Sequence, residues 1–456
     1  MKYVEPYKIK MVEKIEKSTL EQRKNWIKEA NYNFYNLRND QVFINLISDS
    51  GTGAMSSLQW AEMFIADESY AGDSSYFYLK EIVNEIMGCE YYLPTHQGRG
   101  AENILCSTLI KEGDIIVGNM HYNTISSNIT NCRGQAIDCA VESLYNIGNE
   151  NSFKGDVDIE KLVNIIEMNK GQIPFVIITV TCNTIGSHPV SMENIRRVSE
   201  ICRGNDILLF FDASRFAENA YLIKMREEGY REKEIIEIVK EMFSYCDGFI
   251  MSCKKDALST IGGLVGLKNK DIYAKAKNFC LLYEGYFTHG GMSSRDLRMI
   301  GEGIKEAIEF SHLDARENQV FKLGKALEER GIPIVRPYGG HAVYIDAAKF
   351  YKNVPLDEYP AQLLGYELYL ESGVRAHASN MEIAESTEGE FKRYSLLRLS
   401  IPRRTYTDNH IMYVIDAVYE LWNKREEKNK GFSKKENIEF LNLNNYTMEF
   451  IPNFKN

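Results

Sequence analysis

Two adjacent lysines follow an apolar run in the middle of the chain. A buried strand seldom leads directly into two residues of like charge. The run Gly248–Met251 continues as SCKKD, in which Lys254 and Lys255 are neighbours. Two ammonium groups repel each other and resist removal from water. A solvated turn is the ordinary explanation of such a pair. The alternative is a lysine used in chemistry, and the residues that follow the other apolar runs help to distinguish the two.

The other apolar runs in this region also lead into residues that are able to bind or catalyse. The runs and the residues that follow them are Asp114–Met120 with Tyr122, Pro174–Cys182 with Asn183, Ile207–Phe211 with Asp212 and Arg215, and Gly248–Met251 with Ser252 and Lys255. Such runs are typical of strands that are covered on both faces of a parallel sheet. Because ligands bind beyond the carboxyl ends of parallel strands, these side chains are expected to face one ligand.

A glycine-rich turn precedes a helical pattern near residue 100. After the strand-like segment Glu90–Pro94, the residues Gln97, Gly98 and Arg99 lead into a helical run from Ala101. Backbone N–H groups and the dipole at such a helix start favour a phosphate group. Taken alone, the same residues are also explained by an ordinary glycine turn with a surface arginine.

Together these residues form the set that pyridoxal phosphate (PLP) requires. Lys255 would form a Schiff base with it, and Asp212 would keep the pyridine nitrogen protonated so that the ring accepts electrons. The turn at residues 97–100 would hold the phosphate, while Tyr122 would stack on the ring and Asn183 would donate a hydrogen bond. Taken singly, Asp212 is equally well explained as a helix N-cap and Tyr122 as a core aromatic residue.

Helical segments separate the strand-like runs, and this alternation predicts an α/β fold with a mainly parallel sheet. Further predicted elements of this region are the helices Asp158–Asn169, Ser191–Arg203 and Glu232–Phe243 and the strand Gly262–Lys268. After about Leu313 the pattern changes and predicts a smaller α+β domain. Its predicted elements are the helix Ala315–Arg330 and the strands Ala342–Ile345 and Leu396–Ser400. We therefore expect a large domain of residues 49–312 and a small domain of residues 1–48 and 313–456.

The bulk composition narrows the possible partners. The 456 residues carry a formal net charge of −10, which argues against a nucleic acid or an anionic membrane as the main partner. The first residues lack the apolar core of a signal peptide, and the longest apolar stretch, Pro174–Cys182, is too short to span a bilayer. A cytoplasmic protein is therefore expected.

Two further features of composition predict local structure. The nine cysteines are odd in number and form no CxxC motif, which favours buried thiols of a reducing compartment over a disulfide framework or a zinc site. Residues 423–437 are rich in charge and predict a solvated linker. A short apolar tail, Ile438–Ile451, follows them.

Five segments of the chain resemble one enzyme family, from about residue 20 to the tail. The segments are SDSGTGAMS (48–56), PTHQGRGAEN (94–103), FDASRFAENAY (211–221), MSCKKDA (251–257) and RLSIPRRTYT (398–407). They look like the tyrosine phenol-lyase and tryptophanase family of PLP-dependent β-eliminating lyases, which have the aspartate-aminotransferase fold. The resemblance implies a fold type I enzyme with a mainly parallel, seven-stranded sheet in its large domain.

The resemblance also implies a role for each matching residue near the cofactor. Lys255 would be both the Schiff-base lysine and the base at Cα, and Arg398 would bind the substrate carboxylate. Tyr70 matches the residue proposed as the acid that protonates the leaving group. The residues implied to bind the cofactor are Gln97, Gly98, Arg99, Tyr122, Asn183, Asp212, Arg215, Ser252, Lys254 and Lys255.

Substrate contacts, a metal ion and an assembly follow from the same resemblance. The implied substrate-side residues are Ser50, Asn123, Asn183, Tyr286, His377, Ser379, Arg398, Asn445 and Tyr446. Members of the family bind potassium between subunits, and its ligands here would be Gly51, Glu68 and Thr260. They are homotetramers in which a neighbouring subunit completes each site.

The substrate-side residues depart from the patterns of both parent enzymes. Tyrosine phenol-lyases use a threonine and an arginine to recognise the phenol hydroxyl, and the matching positions here are Asn123 and Ser379. In the tail, Asn445-Tyr446 stands where the lyase has two phenylalanines and tryptophanase has a His-Phe pair. A more polar wall predicts a changed leaving group, which would be another aromatic or heteroaromatic group or a thiolate.

The expected reaction is PLP-dependent β-elimination of a β-substituted L-amino acid to pyruvate, ammonium and the leaving group. The first choice is a carbon–carbon lyase that acts on an aromatic-type substrate, and a carbon–sulfur lyase that acts on S-substituted cysteines is the alternative. A thiolate departs with little help from an acid, so the two reactions differ in their dependence on Tyr70. An aminotransferase and a non-catalytic binding protein are more distant alternatives.

Overall fold

The structure is a computed structural model, and it describes residues 4–384, 391–435 and 444–454. The α-helices are α1 (Leu20–Glu29), α2 (Ser57–Phe64), α3 (Ser74–Met87), α4 (Gly98–Leu109), α5 (Asn123–Asn131), α6 (Ile159–Met168), α7 (Met192–Gly204), α8 (Phe216–Arg226), α9 (Ile235–Ser244), α10 (Lys270–Tyr283), α11 (Ser294–Ala307), α12 (Phe310–Glu329), α13 (Ala347–Phe350), α14 (Pro360–Ser372), α15 (Asp408–Asn423) and α16 (Asn444–Thr447). Within this described part, none of the helices is both long and apolar enough to cross a membrane.

The strands belong to two compact units of the chain. The strands are β1 (Ile44–Leu46), β2 (Tyr91–Thr95), β3 (Ile115–Gly118), β4 (Gln135–Asp138), β5 (Phe175–Thr179), β6 (Leu208–Asp212), β7 (Gly248–Ser252), β8 (Gly263–Leu267), β9 (Ala342–Asp346), β10 (Val374–Ala384), β11 (Phe391–Ser400), β12 (Phe432–Lys434) and β13 (Phe450–Pro452). The larger unit consists of Ser50–Asn146 and Asn151–Asp314. The smaller unit consists of Met1–Asp49, Ile147–Glu150 and Ala315–Asn456.

A seven-stranded sheet forms the centre of the larger unit. Its strand order is β2-β8-β7-β6-β5-β3-β4, and β8 runs antiparallel to both of its neighbours. Strands β3 to β7 pair in parallel with one another. The predicted mainly parallel, seven-stranded sheet is therefore confirmed, and the carboxyl ends of β5, β6 and β7 lie at one edge.

The strands of this sheet are apolar because helices cover both faces. In β5, Val176 and Ile178 belong to one buried cluster that includes residues of α7 and α9. Phe175 and Ile177 belong to a second cluster that includes residues of α4 and α10. Neighbouring side chains of a strand point to opposite faces, so a sheet covered on both faces needs an unbroken apolar run.

The predicted helices of the larger unit are present, whereas one strand is not predicted by the sequence. The predicted helices 158–169, 191–203 and 232–243 are observed as Ile159–Met168, Met192–Gly204 and Ile235–Ser244. Asp158 and Ser191 cap the first two, since their side chains accept backbone N–H groups of the first turn. Strand β4 is missed because it lies at the sheet edge, pairs with β3 alone and is partly exposed, so it has no apolar run.

A four-stranded sheet organises the smaller unit, in the order β1-β10-β11-β9. Strand β1 is parallel to β10, and the other two pairings are antiparallel. The predicted strand 396–400 is the end of the longer β11, and the predicted helix 315–330 lies within α12 apart from its last residue. In this register His377 of β10 stands directly opposite Arg398 of β11.

Part of the charge-rich run near the end of the chain is a strand that begins with a buried aromatic residue. Strand β12 lies within residues 423–437 and pairs antiparallel with β13, and Phe432 is 0% exposed. The rings that pack against Phe432, with centroids 5.4–5.5 Å away, are those of Tyr32, Tyr366 and Phe454. The prediction of a solvated linker is therefore wrong for residues 432–434, because one aromatic anchor outweighs its charged neighbours. Of the predicted tail, residues 438–443 lie outside the described residues.

The cysteines are buried thiols, as the sequence predicts. Eight of the nine are buried and Cys132 is partly exposed. Burial raises the pKa of Cys182, Cys202 and Cys246 to about 12 and also raises that of Cys253. These thiols therefore stay protonated and unreactive at neutral pH. Cys253, between the predicted phosphate-binding serine and the two lysines, belongs to the same apolar cluster as Val176 and serves as a small core residue.

We expect Phe432→Ala to lower the free energy of unfolding by about 3–5 kcal/mol, because loss of a fully buried ring leaves a cavity. The shift of the urea unfolding midpoint measures the loss. Ile451→Ala is the control, because Ile451 lies in the partner strand with a half-exposed side chain, and it should cost less than about 1 kcal/mol. Equal shifts for the two variants would contradict the packing of β12 described above.

Candidate active site

A chain of hydrogen bonds links the ends of β6 and β7 at the carboxyl edge of the central sheet. Asp212 ends β6 and Ser252 ends β7. The hydroxyl of Ser214 donates to Oδ1 of Asp212 at 2.7 Å and accepts the backbone N–H of Ser252 at 3.0 Å. The backbone N–H of Ser214 donates to the same carboxylate oxygen at 3.1 Å. The buried carboxylate of Asp212 is thus held in one orientation by a residue two positions further on.

The segment that carries the two lysines is fixed on both sides within the larger unit. The carbonyl of Lys254 accepts the N–H of Gly51 at 2.6 Å. The buried carboxylate of Asp256 accepts two backbone N–H groups of the first turn of α8, at 2.8 and 3.1 Å, where the helix dipole favours an anion. Lys254 and Lys255 are both partly buried, so a fully solvated turn does not describe this segment.

Helix α4 begins at Gly98, close to the end of β7. A Cβ atom on Gly98 would lie 2.7 Å from the Cβ atom of Ser252, so the close approach of helix and strand requires a glycine. Gln97 is the N-cap of the helix, and its backbone bridges to Gly262 just before β8. Arg99 is exposed in the first turn. The N–H groups of this turn, the guanidinium of Arg99 and Ser252 form an arrangement that suits a phosphate group.

The residues present at this edge fit PLP. The larger unit places a phosphate cradle, a buried carboxylate and a lysine after strands β2, β6 and β7 of one sheet, as this cofactor requires. Asn183 and Arg215 are buried just after β5 and β6. Tyr122 is the N-cap residue of α5, and its partly buried ring packs against the apolar cluster that contains Phe175. The cofactor-binding roles of these three residues stay predictions, and the contact of Tyr122 with the core also fits its alternative explanation as a core aromatic residue.

A second buried carboxyl group, that of Glu102 in α4, is absent from the predicted set. The hydroxyl of Thr124 donates to Oε1 of Glu102 at 2.9 Å, and Nδ2 of Asn128 donates to Oε2 at 3.2 Å. Burial, together with the negative charge of Asp212, raises the pKa of Glu102 to about 7. The only signal in the sequence is a glutamate among the apolar residues of the helix that follows the glycine turn.

In the smaller unit, Arg398 lies beside a cluster of polar aromatic residues. Its Nη2 donates to the carbonyl of Ile47 at 3.2 Å. Nδ1 of His377, opposite Arg398, is hydrogen bonded to the hydroxyl of Tyr35 at 2.9 Å, and the Tyr35 ring meets the Tyr446 ring edge-on at 5.2 Å. Burial, together with the positive charge of Arg398, lowers the pKa of His377 well below its usual range. The imidazole is therefore neutral at physiological pH.

The predicted substrate-side residues divide between the two units. Those in the larger unit are Ser50, Asn123, Asn183 and Tyr286, and those in the smaller unit are His377, Ser379, Arg398 and Tyr446. Ser379 is buried in β10, two positions beyond His377, and the side chain of Asn445 lies outside the described residues. Tyr35 is missed by the sequence prediction. A short turn capped by Asn33 positions it, since Oδ1 of Asn33 accepts the Tyr35 N–H at 2.8 Å.

Tyr70 and Tyr286 lie together in the larger unit. Tyr70 is 78% exposed, and its ring centroid lies 5.4 Å from that of Tyr286 and 6.1 Å from that of His289. The N–H of Gly72 donates to the hydroxyl of Thr288 at 3.3 Å. The structure therefore brings the predicted acid to the loop that carries one predicted substrate-side residue.

Two of the three predicted potassium ligands, Gly51 and Thr260, lie close together. The carbonyl oxygen of Thr260 lies 3.4 Å from the position of a Cβ atom on Gly51. Glu68 is engaged at the start of α11, where it forms an ion pair with Arg295 at 2.9 Å and accepts the N–H of Ser294 at 3.4 Å. Over residues 4–384, 391–435 and 444–454, no three His, Cys, Asp or Glu side chains are grouped to hold a metal ion.

Solved structures with the same fold are enzymes of several activities. The Leishmania major threonine aldolase matches with a TM-score of 0.61 and 13% identity, covering 83% of this chain and 99% of that one. The Sphingomonas wittichii serine palmitoyltransferase matches with a TM-score of 0.56 and 12% identity, covering 84% of this chain and 88% of that one. These similarities confirm the predicted α/β, aspartate-aminotransferase-like fold type I architecture.

Relatives of much higher identity define the family. A probable β-eliminating lyase of Trichomonas vaginalis is 49% identical over 433 residues, or 94% of each chain. A tyrosine phenol-lyase of Symbiobacterium is 44% identical over 93% of this chain and 94% of the relative, and a tryptophanase of Salinibacter ruber is 43% identical over 91% and 88%. The family model described as β-eliminating lyase matches residues 45–417. The chain therefore belongs to the β-eliminating lyase family, and the predicted resemblance to the PLP-dependent carbon–carbon lyases within it is confirmed.

Gly98→Ala is expected to weaken PLP binding about tenfold or more, because the added Cβ atom displaces Ser252 from the cradle. Titration of the apoprotein with PLP, followed by absorbance, gives the dissociation constant. Gly204→Ala is the matched control, since an added Cβ atom there meets no other atom within 4 Å. An unaltered affinity of Gly98→Ala would remove the start of α4 from the cofactor site.

The pKa of Glu102 predicts a dependence of stability on pH. Its folded-state value of about 7 lies above the usual 4.5, so ionisation of this carboxyl opposes folding, and the penalty develops between those two pH values. Glu102→Gln keeps an oxygen that accepts from Thr124 and removes the penalty. Relative to wild type, the apo variant should gain about 3 kcal/mol of stability between about pH 4.5 and about pH 8, measured by urea unfolding.

The control for that measurement is Glu112→Gln, because Glu112 lies in an exposed ion pair with Arg133. Its unfolding curves should follow the wild-type dependence on pH. If Glu102→Gln also follows the wild-type dependence, the carboxyl of Glu102 does not resist ionisation as described.

Proposed function

We propose that this enzyme carries out PLP-dependent β-elimination of a β-substituted, aromatic-type L-amino acid, releasing pyruvate, ammonium and the side-chain leaving group. The observation that carries the proposal is the common sheet edge at which Lys255, Asp212 and the cradle of α4 lie, in a member of this family. Relatives named tyrosine phenol-lyase and tryptophanase support an aromatic side chain on the substrate.

Five groups of the larger unit are proposed to hold the cofactor. When bound, PLP supplies a conjugated ring that takes up the electron pair left at Cα. Asp212, oriented by Ser214, keeps a proton on the pyridine nitrogen. The first-turn N–H groups of α4 and Ser252 bind the phosphate, and Arg99 and Lys254 compensate its charge.

Lys255 is proposed as the base that removes the proton from Cα of the substrate. The backbone on either side of it is anchored by the Lys254 carbonyl and the Asp256 carboxylate. Only the side chain therefore has to move when the amine takes up the proton. Arg398 is proposed to bind the substrate carboxylate with its planar fork, which the carbonyl of Ile47 helps to orient.

The proposed leaving-group wall is polar but uncharged. In the smaller unit it includes Ser379 and the hydrogen-bonded pair of Tyr35 and the neutral His377. Such groups donate and accept hydrogen bonds, but they do not supply the positive charge of the arginine that tyrosine phenol-lyases carry at the position of Ser379. A buried polar group discriminates strongly between substrates that satisfy it and those that do not. This supports a leaving group other than phenol or indole, such as a different substituted aromatic or a heteroaromatic ring.

An assembly of identical subunits, a homotetramer, is proposed to complete the site. Tyr70, the proposed acid, is largely exposed in the single chain. Large apolar side chains of the same unit are also exposed, and they are Phe64, Ile65, Phe77, Leu281, Leu282 and Tyr283. Exposed apolar side chains in this number support the proposal of a protein interface. Potassium is proposed to bind at the interface between subunits, through the carbonyls of Gly51 and Thr260 and the carboxylate of Glu68.

A screen of L-amino acids tests the proposed reaction. Purified enzyme loaded with PLP is supplied with β-substituted L-amino acids, pyruvate is followed, and the second product is identified by mass spectrometry. Steady release of pyruvate and ammonium without a keto-acid acceptor supports elimination over transamination, and Lys255→Ala should release none. Absence of pyruvate from every substrate would contradict the proposal. Turnover of tyrosine and tryptophan as fast as any other substrate would contradict the changed wall.

Tyr70→Phe should separate carbon–carbon from carbon–sulfur cleavage. Without the phenol proton, turnover of an aromatic substrate should fall about 100-fold or more, whereas release of a thiolate from an S-alkyl cysteine should change less than about threefold. The ratio of the two turnover numbers is the measurement. Tyr283→Phe, another exposed tyrosine of the same unit, is the control. Equal losses on both substrates would remove Tyr70 from the role of acid.

Replacement of potassium by sodium at constant ionic strength tests the proposed metal site. Activity is expected to fall and to return when potassium is added back, because carbonyl ligands at a fixed spacing distinguish the two ions. Glu68→Gln should raise the potassium concentration needed for half-activation about tenfold. Glu112→Gln is the control, and an identical potassium requirement in all three proteins would exclude Glu68 as a ligand.

A further inference from the structure

We infer that Glu284 is a positioning residue that couples the phosphate cradle at the start of α4 to the loop that carries Tyr286, and through that loop to Tyr70. Glu284 directly follows α10 and is not among the residues that the sequence predicts for the site. The inference rests on the proposed function, because it takes residues 97–99 as the phosphate site and Tyr70 as the acid.

The carboxylate of Glu284 is buried against the turn that leads into α4. Only 3% of its side chain is exposed, although it bears a charge. Its Oε2 accepts the backbone N–H of His96 at 2.8 Å and also pairs with Nδ1 of the His96 ring. A Cβ atom on Gly100 would collide with the same carboxylate, so the glycine allows Glu284 to reach the first turn of the helix. The carboxylate therefore binds the cradle by charge-assisted hydrogen bonds from a buried position.

The loop after Glu284 has little room to move independently of the cradle. Gly290 approaches the carbonyl of Pro94 so closely that any side chain there would clash. Gly291 lies against the carbonyl of Glu284 and the side chain of His96, and both glycines have a positive φ. Close backbone contacts of this kind transmit a displacement, because packed interiors have no voids that would absorb it. A shift of the turn at His96 therefore becomes a shift of the loop.

The same loop holds the segment that contains Tyr70. The ring of Tyr286 lies 5.4 Å from that of Tyr70, and the hydroxyl of Thr288 accepts the N–H of Gly72 at 3.3 Å. Contacts thus run without a gap from the turn at residues 96–100, through Glu284 and the loop, to Tyr70. Binding of phosphate that orders the turn should therefore order the Tyr70 segment, with a coupling that is the same in either direction.

Hydrogen-exchange mass spectrometry of the apoprotein, with and without added PLP, tests the coupling directly. In the wild type, PLP should slow exchange about threefold or more at residues 69–72 and 285–291 as well as at residues 97–100. In Glu284→Ala, protection of residues 97–100 should remain at saturating PLP while protection of residues 69–72 is lost. Wild-type protection of residues 69–72 in Glu284→Ala would overturn the inference.

Substrate preference gives an independent measurement. Glu284→Ala loses a buried, charge-assisted contact. Its turnover of an aromatic substrate should therefore fall about tenfold or more relative to its turnover of an S-alkyl cysteine, because cleavage of the cysteine needs little help from an acid. Glu284→Gln keeps an oxygen that accepts from the His96 N–H and should recover part of the ratio. Glu112→Ala, at an exposed glutamate, is the matched control. Equal losses on the two substrates would overturn the inference and indicate a merely structural role.

The two proposals fail in different ways. A wild-type protein that binds no PLP or releases no pyruvate contradicts the proposed function. If the wild-type protein binds PLP and releases pyruvate while Glu284→Ala shows wild-type coupling, only the role of Glu284 is contradicted. If Glu284→Ala does not fold, His96→Ala replaces it in both measurements, because it removes the ring partner of Glu284 and leaves the carboxylate in place.

Discussion

The parallel register of β6 against β7 is the constraint on which the whole site depends. Asp212 pairs with Ile250 in this register, so the ends of the two strands reach the same edge and Ser214 spans them. A slip of one residue would reverse every side chain of the strand and carry the carboxylate of Asp212 to the other face. The apolar side chains of both strands, buried on two faces, make such a slip costly. Core packing thus sets the position of a charge that contributes nothing to the core itself.

Charged groups of the larger unit balance one another at this edge of the sheet. Asp212 and Glu102 are buried carboxyl groups, and the charges of Lys255 and Arg99 oppose the rise in the pKa of Glu102. Because a buried unpaired charge is strongly unfavourable, such groups persist only where hydrogen bonds and opposite charges surround them. An anionic phosphate would add to this balance beside Arg99 and Lys254. The two adjacent lysines, which are unusual in the sequence, would therefore have negative charges nearby that compensate their positive charges.

The sequence predicts the residues that follow apolar strands, and it misses the residues that are fixed by distant contacts. Lys255, Asp212 and Asn183 could be predicted because a buried strand is a local pattern and parallel strands share an edge. Tyr35 could not, because its partner His377 is 342 positions away. Glu284 and Glu102 are ordinary glutamates in ordinary helical surroundings until the fold buries them. The prediction at Phe432 is wrong in the opposite direction. The charged residues around it predict a solvated segment, but its buried ring anchors a strand.

Anchoring of the backbone on both sides of Lys255 has a consequence for exchange of the cofactor. The hydrogen bonds that hold this segment, from Gly51 to the Lys254 carbonyl and from α8 to Asp256, involve protein groups alone. Apoprotein should therefore keep the backbone of this segment in place, so at Lys255 the ordering cost of PLP binding is confined mainly to the side chain, about 2 kcal/mol for a lysine. Loss and recovery of the cofactor can then proceed without refolding, and the supply of PLP can set the active fraction of protein that has already been made.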